Sequence, residues 1–261
     1  MKAIILTFDK YRPLTEHMLF YYKSIWPDHP FQFRIPYQIN PYINDDNVIS
    51  IQTDKAIKAS VLTLIKDLDD EEWIYWCIDD KYPISLNVEV LKKIVYEINA
   101  GQMQQVDGIL FCHKKGTPKS SGVKDQKTVT IAGIDLLPRE RLKPFWIHQF
   151  MKVKIIRHVF KKFPDVIPKA KVMDELLNTI TIPDDCHLWL TKENLSVFGE
   201  STNEGKISQN CYDSILKHKL TMPKLTLEKN FESYYGKKPT FFENLKTKFN
   251  KVIKHKINIH D

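Results

Sequence analysis

The sequence predicts an α/β fold, a mainly parallel (mixed) central sheet flanked by helices. Three observations lead there. Short apolar runs alternate with stretches whose apolar residues recur at helical spacing, the pattern of βαβ units and a parallel sheet. The run Trp73-Ile74-Tyr75-Trp76-Cys77-Ile78 is apolar at every position, as expected of a strand covered on both faces. Finally, 261 residues at 43% hydrophobic and 27% charged suit one large domain rather than a disordered chain. No stretch approaches the roughly 20 apolar residues of a membrane span.

The elements follow in order. Residues 2–8 read as the first strand; Asp9 and Lys10 interrupt the apolar run before a signal-peptide core could form, so a cytoplasmic protein is expected. After the Arg12-Pro13 turn, Leu14, Met18, Leu19, Tyr22 and Ile25 have helical spacing, and Trp26-Pro27 ends that helix. Residues 31–37 and 48–52 form the second and third strands. Asp54 is placed to cap a helix over 55–68 whose Ile57, Val61, Leu64, Ile65 and Leu68 face the sheet. The strand 73–78 is next. Lys81-Tyr82-Pro83 stops it, because proline cannot join a central ladder.

A helix over 87–99 carries Val88, Leu91, Ile94, Val95 and Ile98 on one face. Asp107–His113 and Thr128–Ala132 read as strands, separated by a polar flap, Lys114–Lys127, rich in glycine, proline and serine. Helical patterns return over 149–160, 171–180 and 207–218, with a short strand at His187–Leu190. No repeat or low-complexity tract interrupts the chain. The division expected is a core domain over 1–220, with halves 1–100 and 101–220, and an extension over 221–261.

Four cysteines, Cys77, Cys112, Cys186 and Cys211, have no metal-type spacing and read as buried thiols in a reducing compartment. The net charge of +7 gathers late, at Lys246, Lys248, Lys251, Lys254 and Lys256. These lysines surround an apolar stripe over 240–257, a pattern suited to peripheral contact with an anionic membrane. No nucleic-acid-binding motif accompanies that charge, so nucleic acid is not an expected partner.

The buried run ends in two adjacent carboxylates, Asp79 and Asp80. In open α/β sheets ligands bind at the carboxyl ends of the strands. Two acids side by side there repel one another: either both are solvated on an acidic strand-to-loop turn, or a hard divalent cation shared with a substrate phosphate compensates them.

Placed after three βα-type units, Ile78-Asp79-Asp80-Lys81-Tyr82-Pro83 resembles the acidic motif of GT-A fold nucleotide-sugar glycosyltransferases. Many of these have D-x-D, and some small bacterial forms have D-D before an aromatic. Here Ile78 or Lys81 stands where one acid of D-x-D would be. Weaker similarities lie in Phe145-Trp146-Ile147-His148-Gln149-Phe150, in Val172-Met173-Asp174-Glu175-Leu176 and in Asn203-Glu204-Gly205-Lys206. Together they cover about residues 1–220.

The resemblance implies a metal-dependent hexosyl transfer from a nucleotide sugar, a UDP-sugar by default, to a glycan or lipid-linked acceptor in polysaccharide biosynthesis. Mn2+ or Mg2+ would stabilise the diphosphate leaving group. Asp80 is its expected direct ligand, with Asp79 meeting the ribose or a water of that cation. Thr7, Asp9 and Arg12 after the first strand, and Asp54 and Lys58 after the third, are the candidates for base, ribose and diphosphate contacts. Asp174 and Glu175 are candidate bases for an inverting reaction, Asp174 first. Trp146 and His148 are candidate acceptor contacts, and His113, His148 and His187 are each candidates for a late metal ligand or a donor-phosphate contact, His148 first.

Two other classes compete. A sugar-phosphate nucleotidyltransferase needs a glycine-rich phosphate loop, and Thr7–Leu14 contains no glycine. An aspartyl-phosphate phosphatase needs a second acid after Asp9-Lys10 and finds Tyr11. A catalytically inactive GT-A-like protein, or a basic module for polyanions or membranes, is the non-enzymatic alternative.

Overall fold

The computed structural model describes residues 1–42, 46–113, 117–123, 127–166, 170–203 and 205–228. Strand β1 (Lys2–Leu6) leads through a 3-10 turn into helix α1 (Arg12–Ile25), followed by β2 (Gln32–Tyr37), β3 (Val48–Gln52) and α2 (Ile57–Leu64). The acidic turn separates β4 (Trp73–Ile78) from β5 (Lys81–Leu86), and α3 (Val88–Asn99) follows. Next come β6 (Gly108–Leu110), β7 (Val129–Ile131), β8 (Ile134–Arg139), β9 (Gln149–Lys152), α4 (Val153–Lys162) and α5 (Ala170–Thr179). The chain continues through β10 (Leu188–Thr191), β11 (Ser196–Glu200), β12 (Thr202–Asn203), β13 (Lys206–Ser208), α6 (Gln209–Lys217) and β14 (Thr226–Glu228).

The main sheet has nine strands in the order β3-β2-β1-β4-β9-β6-β10-β8-β7. Its first four strands are parallel throughout. Beyond β4 the sheet is mixed: β9 runs antiparallel to both neighbours, β6 and β10 are parallel, and β8 and β7 are antiparallel. The expected mixed α/β class therefore holds, with the parallel character concentrated in the first half.

Because strand side chains alternate between faces, the central strands feed two cores. Ala3 and Ile5 of β1 join Tyr75 and Cys77 of β4 in a core shared with α1 and α3. Ile4 and Leu6 join Ile74, Trp76 and Ile78 in a second core under α2, α4 and α5. All four cysteines are free and buried.

Several elements differ from the sequence reading. Gln149–Lys152, expected as the start of a helix, is strand β9, buried at all four positions. The main-sheet strand ends at Ile78, before the acidic turn, and Lys81-Tyr82-Pro83, expected to stop it, is itself strand. Pro83 lies in β5, which leaves the sheet to pair with β11, and a register shift at Val197/Phe198 accommodates the imino acid. Helix α2 is shorter than 55–68, and its N-cap is Ala56 rather than Asp54. Strands β8 and β11 to β14 were not anticipated.

Strand β14, within the segment assigned to an extension, pairs with β13. The helix expected over 240–257 and parts of segment 114–127 lie outside the described residues. Among the described residues, no helix is long and apolar enough to cross a membrane.

Candidate active site

The site grows from the parallel register of the two central strands. Leu6 of β1 lies opposite Ile78 of β4, so both chains leave the sheet together and deliver Thr7 and Asp79 side by side. Thr7 Oγ1 donates to Asp79 Oδ2 at 2.7 Å, and its oxygen lies 2.8 Å from Thr15 Oγ1 on α1. With the Thr7 proton committed to Asp79, Thr15 donates to Thr7. Asp79 is buried; its burial, followed by the neighbouring Asp80 charge, raises its carboxyl pKa to about 8.

Asp80 occupies a different environment. Its carbonyl accepts from Ser201 N at 2.8 Å, and its Oδ2 accepts from Thr202 Oγ1 at 3.4 Å. These partners arrive because β5 pairs with β11, setting Lys81 opposite Glu200. Asp80 Oδ1 is buried and accepts no hydrogen bond, yet Lys81 Nζ stands 3.4 Å from it. That contact is an ion pair by distance without a directed hydrogen bond.

Beneath this turn a buried relay sets the end of β4. His148 Nε2 lies 3.0 Å from Ile78 O, which can only accept, so Nε2 carries the proton. Nδ1 therefore accepts from the Tyr22 hydroxyl, whose oxygen in turn accepts from Tyr75 at 2.7 Å. Phe198 of β11 packs on the imidazole at a ring distance of 4.6 Å. Burial lowers the His148 pKa to about 3 and keeps it neutral. This corrects the expected acceptor role: His148 is wholly buried, with both nitrogens engaged inside the protein.

A cavity of about 580 Å³ opens above the acidic turn. One wall is Thr7, Phe8, Tyr11 and Leu14, and the floor is Ile78 to Lys81. The facing side carries Ile57, Trp146, Met173 and Asp174, with Thr202 and Gly205 at the remaining edge. Trp146 Nε1 donates to Asp174 Oδ1 at 3.1 Å, and Lys143 Nζ lies 3.7 Å from the same oxygen. The Asp174 side chain is 57% exposed.

Five of the residues singled out from sequence thus meet in one cavity: Thr7, Asp79, Asp80, Trp146 and Asp174. Others do not line it. Asp9 accepts from the backbone N–H groups of Gln38, Ile39 and Asn40, which outweigh a partial burial and lower its pKa. Arg12 donates to the carbonyls of Asn40 and Pro41 and lies 3.9 Å over the Tyr42 ring. Both tie down the loop after β2. Asp54 accepts from Ala56 N at 3.1 Å in a local turn, and Lys58 pairs with Asp165 at 2.8 Å. These two follow β3, which the strand order places at the sheet edge.

Glu175 is exposed. His113 is buried against Thr191 O, and His187, directly before β10, is exposed. Neither histidine lines the cavity. Sequence reasoning missed Phe8, Tyr11, Ile57 and Thr202 as lining residues. The apolar trio Phe8, Tyr11 and Leu14 around Asp9 was the available signal. Among the described residues, no cluster of three or more histidine, cysteine or acidic side chains could alone hold a metal.

The chain matches no protein-family model, and no curated protein matches it significantly. Among solved structures it is similar to S. aureus TarS 1-349, with 14% identity over 76% of this chain and a TM-score of 0.46. It is also similar to the galactosyltransferase LgtC in complex with donor and acceptor sugar analogs, at 11% identity over 71% of this chain and 68% of that one, TM-score 0.37. A third is the 2-C-methyl-D-erythritol 4-phosphate cytidylyltransferase of Francisella tularensis, at 13% identity over 83% of this chain and 98% of that one, TM-score 0.37. The match spans 59% of the TarS chain.

Proposed function

We propose that this protein is a metal-dependent glycosyltransferase that moves a sugar from a nucleotide sugar, a UDP-sugar, onto a glycan or lipid-linked acceptor. One observation carries the reading. Adjacent carboxylates at the carboxyl end of the central strand β4, beside Thr7 at the end of β1, line a cavity that also holds an aromatic ring and a third carboxylate. A volume of about 580 Å³ lies in the usual range for a small-molecule site.

The donor set suits a hard divalent cation, Mn2+ or Mg2+. Asp80 Oδ1 is a buried anionic oxygen that accepts no hydrogen bond, and Asp79 is a second carboxylate beside it. Two protein carboxylates leave the rest of the coordination to phosphate and water oxygens, as such ions prefer. When bound, the cation would supply positive charge to the diphosphate as its bond to the sugar breaks.

The chain's own residues do the remaining work. Thr7 fixes the Asp79 carboxyl in orientation, and Trp146 presents an aromatic edge where an acceptor sugar would lie. Trp146 and Lys143 both address Oδ1 of Asp174, leaving Oδ2 to take the proton of an acceptor hydroxyl in an inverting reaction. Phe8, Leu14, Ile57 and Met173 add apolar surface to the same cavity.

Lys81 beside Asp80 favours one rival, a GT-A-like protein that binds nucleotide without turnover. Release of UDP from a panel of UDP-sugars, with Mn2+ and with EDTA, separates the two. Turnover that EDTA stops and Asp80→Ala abolishes, with the variant still folded, is the expected result. Undiminished activity in either case removes the metal assignment, and tight UDP binding without turnover selects the rival.

A further inference from the structure

Lys81 has no part in the reaction as drawn so far. It starts β5 directly after the acidic turn, lines the same cavity as Asp79 and Asp80, and its side chain is only 10% exposed. Its backbone is held by the pairing with Glu200 on β11. Its ammonium stands 3.4 Å from Asp80 Oδ1, the oxygen that accepts no hydrogen bond. The anionic oxygen expected to meet a cation is thus already faced by one that the protein supplies.

A divalent ion and an ammonium cannot both occupy that position. Direct ligation needs about 2.1–2.3 Å to the oxygen, and two cations crowded on one carboxylate repel. The ammonium is a compact charge on a flexible four-carbon stem and can be re-aimed by rotamer change. The anion that arrives with the metal is a diphosphate, which offers oxygens to more than one cation.

Resting on the site reading above, we propose that Lys81 is a diphosphate-binding residue that exchanges partners on loading. Its ammonium pairs with Asp80 before the donor binds. It moves onto a diphosphate oxygen when the cation–nucleotide complex takes Asp80. No bond to carbon forms or breaks in this step, and charge balances: one ion pair is traded for two. Metal alone therefore competes with Lys81, whereas metal with nucleotide gives Lys81 a new partner.

The two halves of the exchange predict opposite signs for one substitution. In the full chain, Lys81→Met should tighten Mn2+ binding without nucleotide by about threefold to tenfold. The same variant should weaken UDP binding at saturating Mn2+ by about tenfold or more. Lys81→Arg should restore most of the UDP affinity. Mn2+ binding is read by electron paramagnetic resonance and UDP binding by calorimetry, with melting temperatures on each variant; Lys81→Gln serves if Lys81→Met does not fold.

If both affinities fall together, Lys81 only holds the turn, and the exchange is overturned; if neither changes, it is overturned as well. Wild-type protein that binds neither Mn2+ nor UDP, or Asp80→Asn that binds both as well as wild type, removes the site reading itself and this proposal with it.

Discussion

Replacing Asp79 with asparagine is expected to stabilise the ligand-free protein by an amount that grows with pH. Asp79 is buried beside Asp80, and in the folded chain its pKa is raised from 3.8 to about 8. Between those values the folded state keeps a proton that the unfolded state has released. The stability this group contributes is therefore complete below the unfolded value and is lost as pH rises through the folded one.

One proton corresponds to about 1.4 kcal/mol per pH unit, so about four units set an upper limit of about 5–6 kcal/mol. Burial is the larger cause of that rise and the neighbouring Asp80 charge the second, and about 2–3 kcal/mol is the expected gain. Asparagine matches aspartate in shape, keeps an oxygen for the Thr7 hydroxyl, and carries no charge. Urea unfolding of both proteins in excess chelator, at about pH 5 and about pH 8.5, reports this group together with its repulsion of Asp80, because titrations elsewhere in the chain cancel. The variant should gain on wild type at the higher pH, by about 5 °C or more in melting temperature. A difference that is flat with pH, or that shrinks as pH rises, would show that the charge at position 79 is compensated in the folded protein.

Three further perturbations test the surroundings of the site. In Gly199→Ala the new Cβ would overlap the buried Tyr82 ring, so the β5–β11 pair must shift; a loss of about 1–3 kcal/mol is expected from urea unfolding. Tyr22→Phe removes the hydroxyl joining Tyr75 to His148, leaving a buried acceptor unmatched; about 1–3 kcal/mol should be lost, with less further loss when Tyr75→Phe is added. Burial lowers the pKa of His17 from 6.5 to about 4, and the nearby His218 adds to it. Stability from neutral His17 is present above pH 6.5 and lost as pH falls toward 4, so His17→Asn should flatten the acid limb of an unfolding-versus-pH curve.

The parallel half of the fold was legible because its signals are local. Trp73–Ile78 is apolar throughout, and α1 and α3 show their buried faces in their spacing. Strand β9 was misread because no breaker separates it from α4. Phe150, Met151, Val153, Ile155 and Ile156 run together, and their spacing fits a helix as readily as a strand followed by a helix. Strand β11 was hidden by Gly199 within its five residues, a residue that weakens any strand pattern.

At the site, Asp79, Asp80 and Thr7 were readable because they end strands that the apolar pattern places at the sheet centre. Asp54 and Lys58 follow another strand, β3, but strand order puts that strand at the edge, and order is not written in any local segment. His148 shows the same limit from the other side. Its neighbour Trp146 reaches the cavity, while the imidazole is turned into the core to hold Ile78 O.

The departure of β5 to pair with β11 also has a consequence in time. Asp80 receives Ser201 and Thr202 from a segment 122 residues further along the chain. The β1–β4 platform can form from contacts made within the first third of the sequence. The acidic turn acquires its last partners only after residue 202 has been synthesised and folded back. Nascent chains shorter than that would carry the sheet without a finished cavity, so the nucleotide affinity proposed for it would appear late and abruptly as the chain lengthens.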